Sequence, residues 1–246
     1  MNVTVASKSE LGVSALDRHK NSQRDQTFFV AMAITTSLII VIGFARTYYL
    51  KWFTGAPSLS RLVHVHAAVF TTWVALFLTQ TALVANGQTR AHRRLGVAGV
   101  ALAAVMVVVG FLTAVAAARR GLTIGPLDPL GSLVVPVVDG GVFAVLVATG
   151  LSLRSKPEFH RRLMLLSMVA LTVPATGRIP LLGPSIVFQL TVQALLVLAG
   201  PVYDRLANKR VHPTFVWGGL LIMLGLPVKL LGLTEAWRTF ASWLVE

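Results

Sequence analysis

Histidine is the residue type in this sequence with the widest range of chemistry. Five of the six histidines lie where polar loops meet long apolar runs: His64, His66, His92, His160 and His212. A neutral imidazole ligates haem iron and divalent metals, and haem b between membrane helices is commonly held by two histidines from different helices. The pattern therefore predicts cofactor binding at the ends of apolar helices.

One group of candidate residues combines two of these histidines with an acid. His64 and His66 point about 200° apart on a helix, and we expect His66 to face the protein interior. Asp139 lies inside an apolar run and needs a cationic partner, for which His66, Arg178 and Lys229 are available. His64, His66 and Asp139 are candidate metal ligands, and Arg178 could face a haem propionate or an anionic ligand. Alternatively, Asp139 and Arg178 form a salt bridge that only stabilises the fold.

A second group comprises His92, His160 and His212, each beside Arg or Lys at a predicted helix start. The segments HRRLG and HRRLM, which begin at His92 and His160, are superficially similar to the starts of haem-ligating helices in b-type cytochromes. The alternative is that these are loop histidines at the headgroup level, where the arginines set the membrane topology.

Two glutamines introduce a different possibility. Gln189 and Gln193 are four residues apart, so they share one face of a predicted helix near mid-membrane. With Lys229 and His212 they would form a polar pocket, which favours a small-molecule transporter. Lys229 by itself is expected to extend its ammonium group to the membrane surface.

The composition indicates the elements that must position these residues. The chain has 246 residues, of which 55% are hydrophobic and 13% charged, and its mean hydropathy is +0.74. Soluble domains carry about 25% charged residues, so the outside of this protein must also be largely apolar. We predict an all-α polytopic membrane bundle, because only helices satisfy their own backbone hydrogen bonds in lipid.

Seven membrane-spanning helices are predicted from the apolar runs. Their expected limits are residues 28–50, 62–85, 95–118, 133–153, 162–176, 182–202 and 215–233. Residues 1–27 are expected to form a disordered cytoplasmic tail, and residues 28–233 the membrane domain. Residues 234–246 carry aromatic residues at near-helical spacing, which predicts an amphipathic segment in the membrane interface.

The distribution of basic residues predicts the orientation. Fourteen of the 22 Lys and Arg residues lie in the N-terminal tail and alternate loops, and eight lie on the other side. The positive-inside rule then places the N-terminus in the cytoplasm and the C-terminus outside. The net charge of +13 is explained by these loops, whose expected partners are the lipid bilayer and anionic lipid headgroups, with no nucleic acid.

Several classes of chemistry find no support in the sequence. The chain has no cysteine, which excludes disulfides, thiolate metal sites and cysteine nucleophiles. It contains no GxSxG and no HExxH motif. The third predicted span has no Asp or Glu that could serve as the counter-ion of a retinal Schiff base, and the N-terminus does not have the pattern of a cleavable signal peptide.

Several segments, taken as a set, resemble a widespread family of uncharacterised bacterial seven-span inner-membrane proteins. The matching segments cover nearly the whole chain after residue 28 and are GFARTYYL, LVHVHAAVFTTWVALFLTQTALVANG, AHRRLGVAGV, FHRRLMLLSM and VHPTFVWGGLL, together with Arg178. The resemblance implies a multi-pass inner-membrane protein but no established activity. It extends to His64, His66, His92, Asp139, His160, Arg178 and His212, whereas Lys229 departs from an expected Arg.

The leading hypothesis is a membrane redox or cofactor-binding protein in which histidines ligate haem b or a divalent metal. Asp139 and Arg178 would then interact with the ligating histidines or with the haem propionates. The alternatives are a transporter or permease with a polar pocket in the membrane, and an assembly subunit without a site of its own.

Overall fold

The computed structural model describes residues 8–53, 58–180 and 185–246, with side chains from residue 23 onward. Ten α-helices occur in these ranges: α1 (Lys8–Phe44), α2 (Arg61–Ala85), α3 (Thr89–Arg119), α4 (Pro129–Ser132), α5 (Val134–Ser152), α6 (Pro157–Ala170), α7 (Val173–Thr176), α8 (Ile186–Asn208), α9 (Pro213–Val228) and α10 (Glu235–Val245). A π-helical turn at Ala45–Tyr49 ends α1, and a 3₁₀ segment at Lys229–Leu233 ends α9. The predicted all-α fold is confirmed for these residues.

Six segments are long and apolar enough to cross a membrane. They are Gln23–Tyr49, Arg61–Ala85, Thr89–Arg119, Pro129–Ser152, Ile186–Asn208 and Pro213–Leu233. Each carries large apolar side chains on its outer surface, such as Val97 and Leu195, as expected of helices solvated by lipid. The chain is therefore a multi-pass helical membrane protein.

Contacts between side chains define the two ends of the bundle. At what we call the proximal end, Gln26 Nε2 donates to the Ala85 carbonyl oxygen over 3.2 Å, and Arg161 pairs with Asp25. At the distal end, Tyr49 Oη lies 2.7 Å from Thr71 Oγ1. The middle of α1, at Gln26, therefore lies beside the end of α2, and the π-helical turn after α1 lies beside the first half of α2, so the two helices are antiparallel.

The fifth predicted span differs from expectation, because it is interrupted. Helix α6 has 14 residues, and α7 adds one turn after Leu171 and Thr172. Pro174 has no backbone N–H, so a continuous helix through this position would lack a hydrogen bond. This segment is the most buried part of the chain, with Leu163 and Met168 at 0% exposure, so it occupies the middle of the bundle.

Two glycines allow helices to approach closely. A Cβ atom at Gly43 of α1 would collide with the carbonyl oxygen of Ala175 in α7, and one at Gly200 of α8 would collide with the Phe215 ring of α9. Small residues at such positions let helix backbones pack together in lipid. The contact of Gly43 with Ala175 fixes the distal end of the α6–α7 segment against α1.

The two terminal segments can also be compared with the predictions. Residues 8–27, predicted as a disordered tail, belong to α1 in the structure; adding a residue to an existing helix requires no new nucleation. Residues 1–7 of that tail and residues 182–184 of the sixth predicted span lie outside the described residues. Helix α10 is amphipathic: Ala241 is buried, and Trp237 Nε1 donates to the Leu130 carbonyl oxygen over 2.9 Å.

Candidate functional site

Two of the predicted haem ligands lie beside each other at the proximal end. His92 of α3 and His160 of α6 have ring centroids 6.2 Å apart, with an angle of 75° between the ring planes. Both residues are half-buried. The two HRRL segments, which are distant in sequence, thus place one imidazole each into the same part of the bundle.

The His160 ring is held in one orientation. Its Nδ1 lies 2.8 Å from the carbonyl oxygen of Gly150 in α5. A carbonyl oxygen only accepts hydrogen bonds, so Nδ1 must carry the proton. In the neutral ring, Nε2 then has a free lone pair, which is the form in which histidine binds a metal.

His92 and its neighbour Gln80 have polar atoms without partners. His92 Nδ1 and Gln80 Oε1 are buried and make no hydrogen bond to any described residue. A Cβ atom at Gly96, one turn after His92 in α3, would lie 3.6 Å from Gln80 Nε2, which places Gln80 of α2 beside this part of α3. Buried polar atoms are rarely left unpaired, so this cluster of Gln80, His92 and His160 has capacity for a ligand, a proton or an ordered water.

His212, the third histidine of this group, has a different environment. Its Nδ1 accepts a hydrogen bond from the backbone N–H of Thr214 over 3.3 Å, at the start of α9. Its ring packs edge-on against Phe159, with centroids 4.6 Å apart. Partial burial, assisted by the positive charge of Arg162, lowers the pKa of His212. His212 therefore caps a helix in the neutral form rather than joining His92 and His160.

A buried ion pair lies next to His212, and the sequence analysis did not identify it. Arg162 Nη2 donates to Asp204 Oδ1 over 2.7 Å, and both residues are almost fully buried, at 3% and 0% exposure. Asp204 also accepts from the His212 backbone N–H over 2.9 Å and from Asn208 Nδ2 over 3.1 Å. This network joins α6, α8 and the start of α9.

A second network at the proximal end joins α1 to the same helices. Asp25 accepts hydrogen bonds from Arg161 Nη2 and from the Tyr203 hydroxyl, both over 2.5 Å. The Tyr203 ring stacks on Phe28, with centroids 4.0 Å apart. Asp25 of α1 thus joins α6 and α8 through these two hydrogen bonds, so the network positions α6 against α1.

At the distal end, the partner of Asp139 is Lys229. The carboxylate Oδ1 lies 2.7 Å from Lys229 Nζ, and the two side chains are 21% and 13% exposed. The expectation that Lys229 only extends to the membrane surface is therefore wrong, and of the two alternatives for Asp139, a salt bridge with Arg178 is not the pairing observed. Asp139 and Lys229 lie on α5 and at the end of α9, which pack together in the bundle, and lipid strongly favours mutual neutralisation of two such charges.

His66 and Arg178 lie near each other in another part of the distal end. His66 stacks on Phe70 with a centroid distance of 4.1 Å, and its Nδ1 is buried without a described partner. The guanidinium of Arg178 lies 4.8 Å from the centre of the Phe44 ring. Gly43 of α1 contacts Ala175 of α7, and the Tyr48 ring in the turn after α1 lies 5.8 Å from the ring of His64 in α2, so the end of α1, the start of α2 and the end of α7 meet here.

The three candidate metal ligands are not brought together. His64 is exposed and its Nδ1 lies 3.3 Å from the Tyr48 hydroxyl, whereas Asp139 is paired with Lys229. Among the described residues, no group of three or more His, Asp or Glu side chains could hold a metal ion. The reason is the helical geometry that turns His64 and His66 to different sides.

The two glutamines of the expected polar pocket have different surroundings: Gln193 is buried and Gln189 is half-buried. Gln193 is 3% exposed, and its Oε1 accepts from Thr172 Oγ1 over 3.2 Å. Its Nε2 lies 3.4 Å from the Val169 carbonyl oxygen, so it satisfies the backbone where α6 ends. Gln189 lies beside Gly177, at the distal end and away from His212.

Asp25 and Asp204, which the sequence analysis did not select, share one recognisable feature: each is an acid close to an apolar run. The chain has only nine acidic residues, and each one close to an apolar run must be paired. Asp204 lies just beyond the expected limit of the sixth span, and Asp25 just before the first, so both were counted as loop residues. Helices α1 and α8 extend past those limits and bring both acids into the bundle.

Comparison with known proteins gives no match to a protein family, to a curated protein or to a solved structure.

Proposed function

We propose that this protein is a membrane redox protein that binds haem b between His92 and His160. The observation that carries the proposal is the 6.2 Å separation of the two ring centroids. Bonds from an imidazole nitrogen to a metal are about 2.0–2.1 Å long. Two imidazoles on opposite sides of one ion therefore have ring centres about 6 Å apart, which agrees with the observed spacing.

The number of ligands favours haem over a bare metal ion. Protein zinc sites use three or four side chains, and the described residues contain no such group. The porphyrin of haem b supplies four nitrogens itself, so His92 and His160 would be sufficient to hold it. The bond of His160 to the Gly150 carbonyl oxygen leaves Nε2 as the ligating atom, and His92 has an unpaired ring nitrogen.

Bound haem b would supply one-electron exchange. The residues of this chain would fix the orientation of the two rings, as the bond of His160 to the Gly150 carbonyl oxygen does. Electron transfer within or across a bilayer is the function that such a centre can perform.

The same proposal includes seven membrane crossings. Arg161 lies beside Asp25 at the proximal end, and Arg178 lies over Phe44 at the distal end. At 1.5 Å per residue the segment between them spans about 25 Å, close to the hydrocarbon thickness of about 30 Å. Helices α6 and α7 would thus add a buried seventh crossing to the six apolar ones.

We place the proximal end in the cytoplasm of a bacterial cell and the protein in the inner membrane. The basic residues support this orientation, because 14 of the 22 belong to the proximal side and positive charge is retained in the cytoplasm.

The test is to purify the protein from haem-replete cells and to record reduced-minus-oxidised absorption spectra with a haem assay. We expect a b-type spectrum that His92→Ala and His160→Ala each abolish. His64→Ala is the matched control, since His64 is exposed at the opposite end, and it should retain the spectrum. A colourless wild-type protein would refute the proposal.

A further inference from the structure

The distal site of Arg178 and His66 has a charge that none of the described acidic residues neutralises. We propose that it binds an oxyanion, the phosphate group of an outer-leaflet phospholipid, independently of the haem proposed at the proximal end. Arg178 is the principal ligand and His66 the second.

The first argument is charge balance at the distal end. The acids on that side are Asp128, Asp139, Glu235 and Glu246. Asp139 is paired with Lys229, while Asp128 and Glu235 are both paired with Arg238. None of the ion pairs in the described part of the chain includes Arg178, and residues 54–57 and 181–184 contain no acid. A guanidinium at membrane depth requires a counter-charge, which an external anion would supply.

The second argument is the presence of a neighbouring polar atom that also lacks a partner. His66 Nδ1 is buried and makes no hydrogen bond to a described residue. Its ring is held against Phe70 at 4.1 Å, so it cannot turn freely towards water. A protonated ligand oxygen could donate to it, and in the other tautomer Nδ1 could itself donate to an anion.

The third argument is that Arg178 is both fixed and accessible. Its Nη1 donates to the carbonyl oxygen of Pro174, and the guanidinium lies over Phe44. The contact between Gly43 and Ala175 fixes α7 against α1. Arg178 is nevertheless exposed, so its remaining N–H groups can reach a ligand. A planar guanidinium binds two oxygens of a phosphate at once.

The depth of the site favours a lipid. Phe44 lies five residues before the end of the first crossing at Tyr49, which is roughly 7 Å by the helical rise. This depth corresponds to the boundary between acyl chains and headgroups. The neighbouring Phe44 and Phe70 rings supply apolar walls for the upper acyl chain, whereas free phosphate would have to reach the site from solution.

The experiment compares the wild-type protein with Arg178→Gln and with the control Arg120→Gln, which removes another exposed distal arginine. Each protein is reconstituted in phosphatidylglycerol-containing nanodiscs, released into detergent, and analysed by native mass spectrometry for retained phospholipid. We expect one retained phospholipid on the wild type and on Arg120→Gln, and at least a tenfold reduction of that species in Arg178→Gln. Arg178→Lys keeps the charge but not the planar donor pair, and should give an intermediate amount.

A second arm distinguishes the source of the phosphate. Delipidated protein is titrated with inorganic phosphate by calorimetry. Binding that Arg178→Gln removes, without retained lipid in the first arm, would support the oxyanion site but assign it to a free anion. Equal behaviour of all four proteins in both arms would overturn the proposal. Haem spectra recorded on the same samples report separately on the proximal site, and thermal unfolding confirms that each variant is folded.

Discussion

Arg162 and Asp204 are the residues whose burial has the largest energetic consequences. Both ions are almost fully withdrawn from solvent, and Asp204 accepts from Arg162, Asn208 and the His212 backbone. Because Asp204 accepts hydrogen bonds from three groups, the ion pair tolerates burial. Loss of one partner would leave an uncompensated charge inside the bundle, which is much more costly than loss of both.

A double-mutant cycle tests this expectation. Arg162→Met should lower the free energy of unfolding by about 3–5 kcal/mol, and the double variant Arg162→Met/Asp204→Leu should lose clearly less. Unfolding by denaturing detergent, followed by circular dichroism, gives the values. Arg238 forms partly exposed pairs with Asp128 and Glu235, and Arg238→Met should change stability by only about 0–1 kcal/mol. If the double variant loses as much unfolding free energy as the Arg162 and Asp204 single variants together, this explanation is contradicted.

The Tyr203 hydroxyl provides a smaller test in the neighbouring network. Tyr203→Phe removes the hydrogen bond to Asp25 but keeps the stacking on Phe28. We expect a loss of roughly 1.5–3 kcal/mol, because the acceptor is charged. Tyr203→Leu should lose more, since it also removes the ring contact. If Tyr203→Phe is as stable as the wild type, the hydroxyl does not hold Asp25.

At the scale of elements, the contact between α1 and α7 determines where Arg178 lies. A Cβ at Gly43 would meet the Ala175 backbone, which cannot rotate away as a side chain can. The turn that follows α7 carries Arg178, so the close approach of the two helices places the guanidinium on Phe44. Packing remote from the guanidinium thus controls its position.

Gly43→Ala should therefore destabilise the protein by about 1–3 kcal/mol through overpacking, and weaken phosphate or lipid binding at Arg178. The matched control is Gly140→Ala in α5, where a Cβ meets no atom within 4 Å. Alanine has the higher helix propensity, so this control should be neutral or stabilising by up to about 1 kcal/mol. Thermal unfolding and the lipid-retention assay measure both effects.

The sequence predicts the apolar helices well and the pairing of charges less well. Runs of lipid-facing residues are long and continuous, so the predicted limits of α2 and α5 agree with the structure within one residue, whereas α8 ends six residues later than predicted. The proximity of His92 to His160 could be suspected from the two HRRL segments, because both lie at helix starts on one predicted side. The partner of Asp139 could not be chosen, since His66, Arg178 and Lys229 lie at similar predicted depth and only the packing of α5 against the end of α9 selects Lys229.

At the scale of the whole molecule, the absence of cysteine makes the proposed topology directly testable. Single cysteines introduced as Gln88→Cys and Ser155→Cys lie in exposed turns at the proximal end, and Leu122→Cys lies in an exposed distal loop. In intact cells, a membrane-impermeant maleimide should label only Leu122→Cys. After permeabilisation all three should react. Labelling of Gln88→Cys and Ser155→Cys from opposite sides would contradict their common position at the proximal end and separate His92 from His160.

The buried pair of Arg162 and Asp204 also has a consequence for biosynthesis. The two residues are 42 positions apart, and at 5–20 residues per second the ribosome needs roughly 2–8 s to make the second after the first. During this interval the newly made α6 carries an arginine without its carboxylate, so it should remain at the translocon instead of partitioning into lipid. Nascent chains arrested before α8 should accordingly leave α6 extractable by alkaline carbonate, whereas chains arrested after α8 has emerged should hold it firmly.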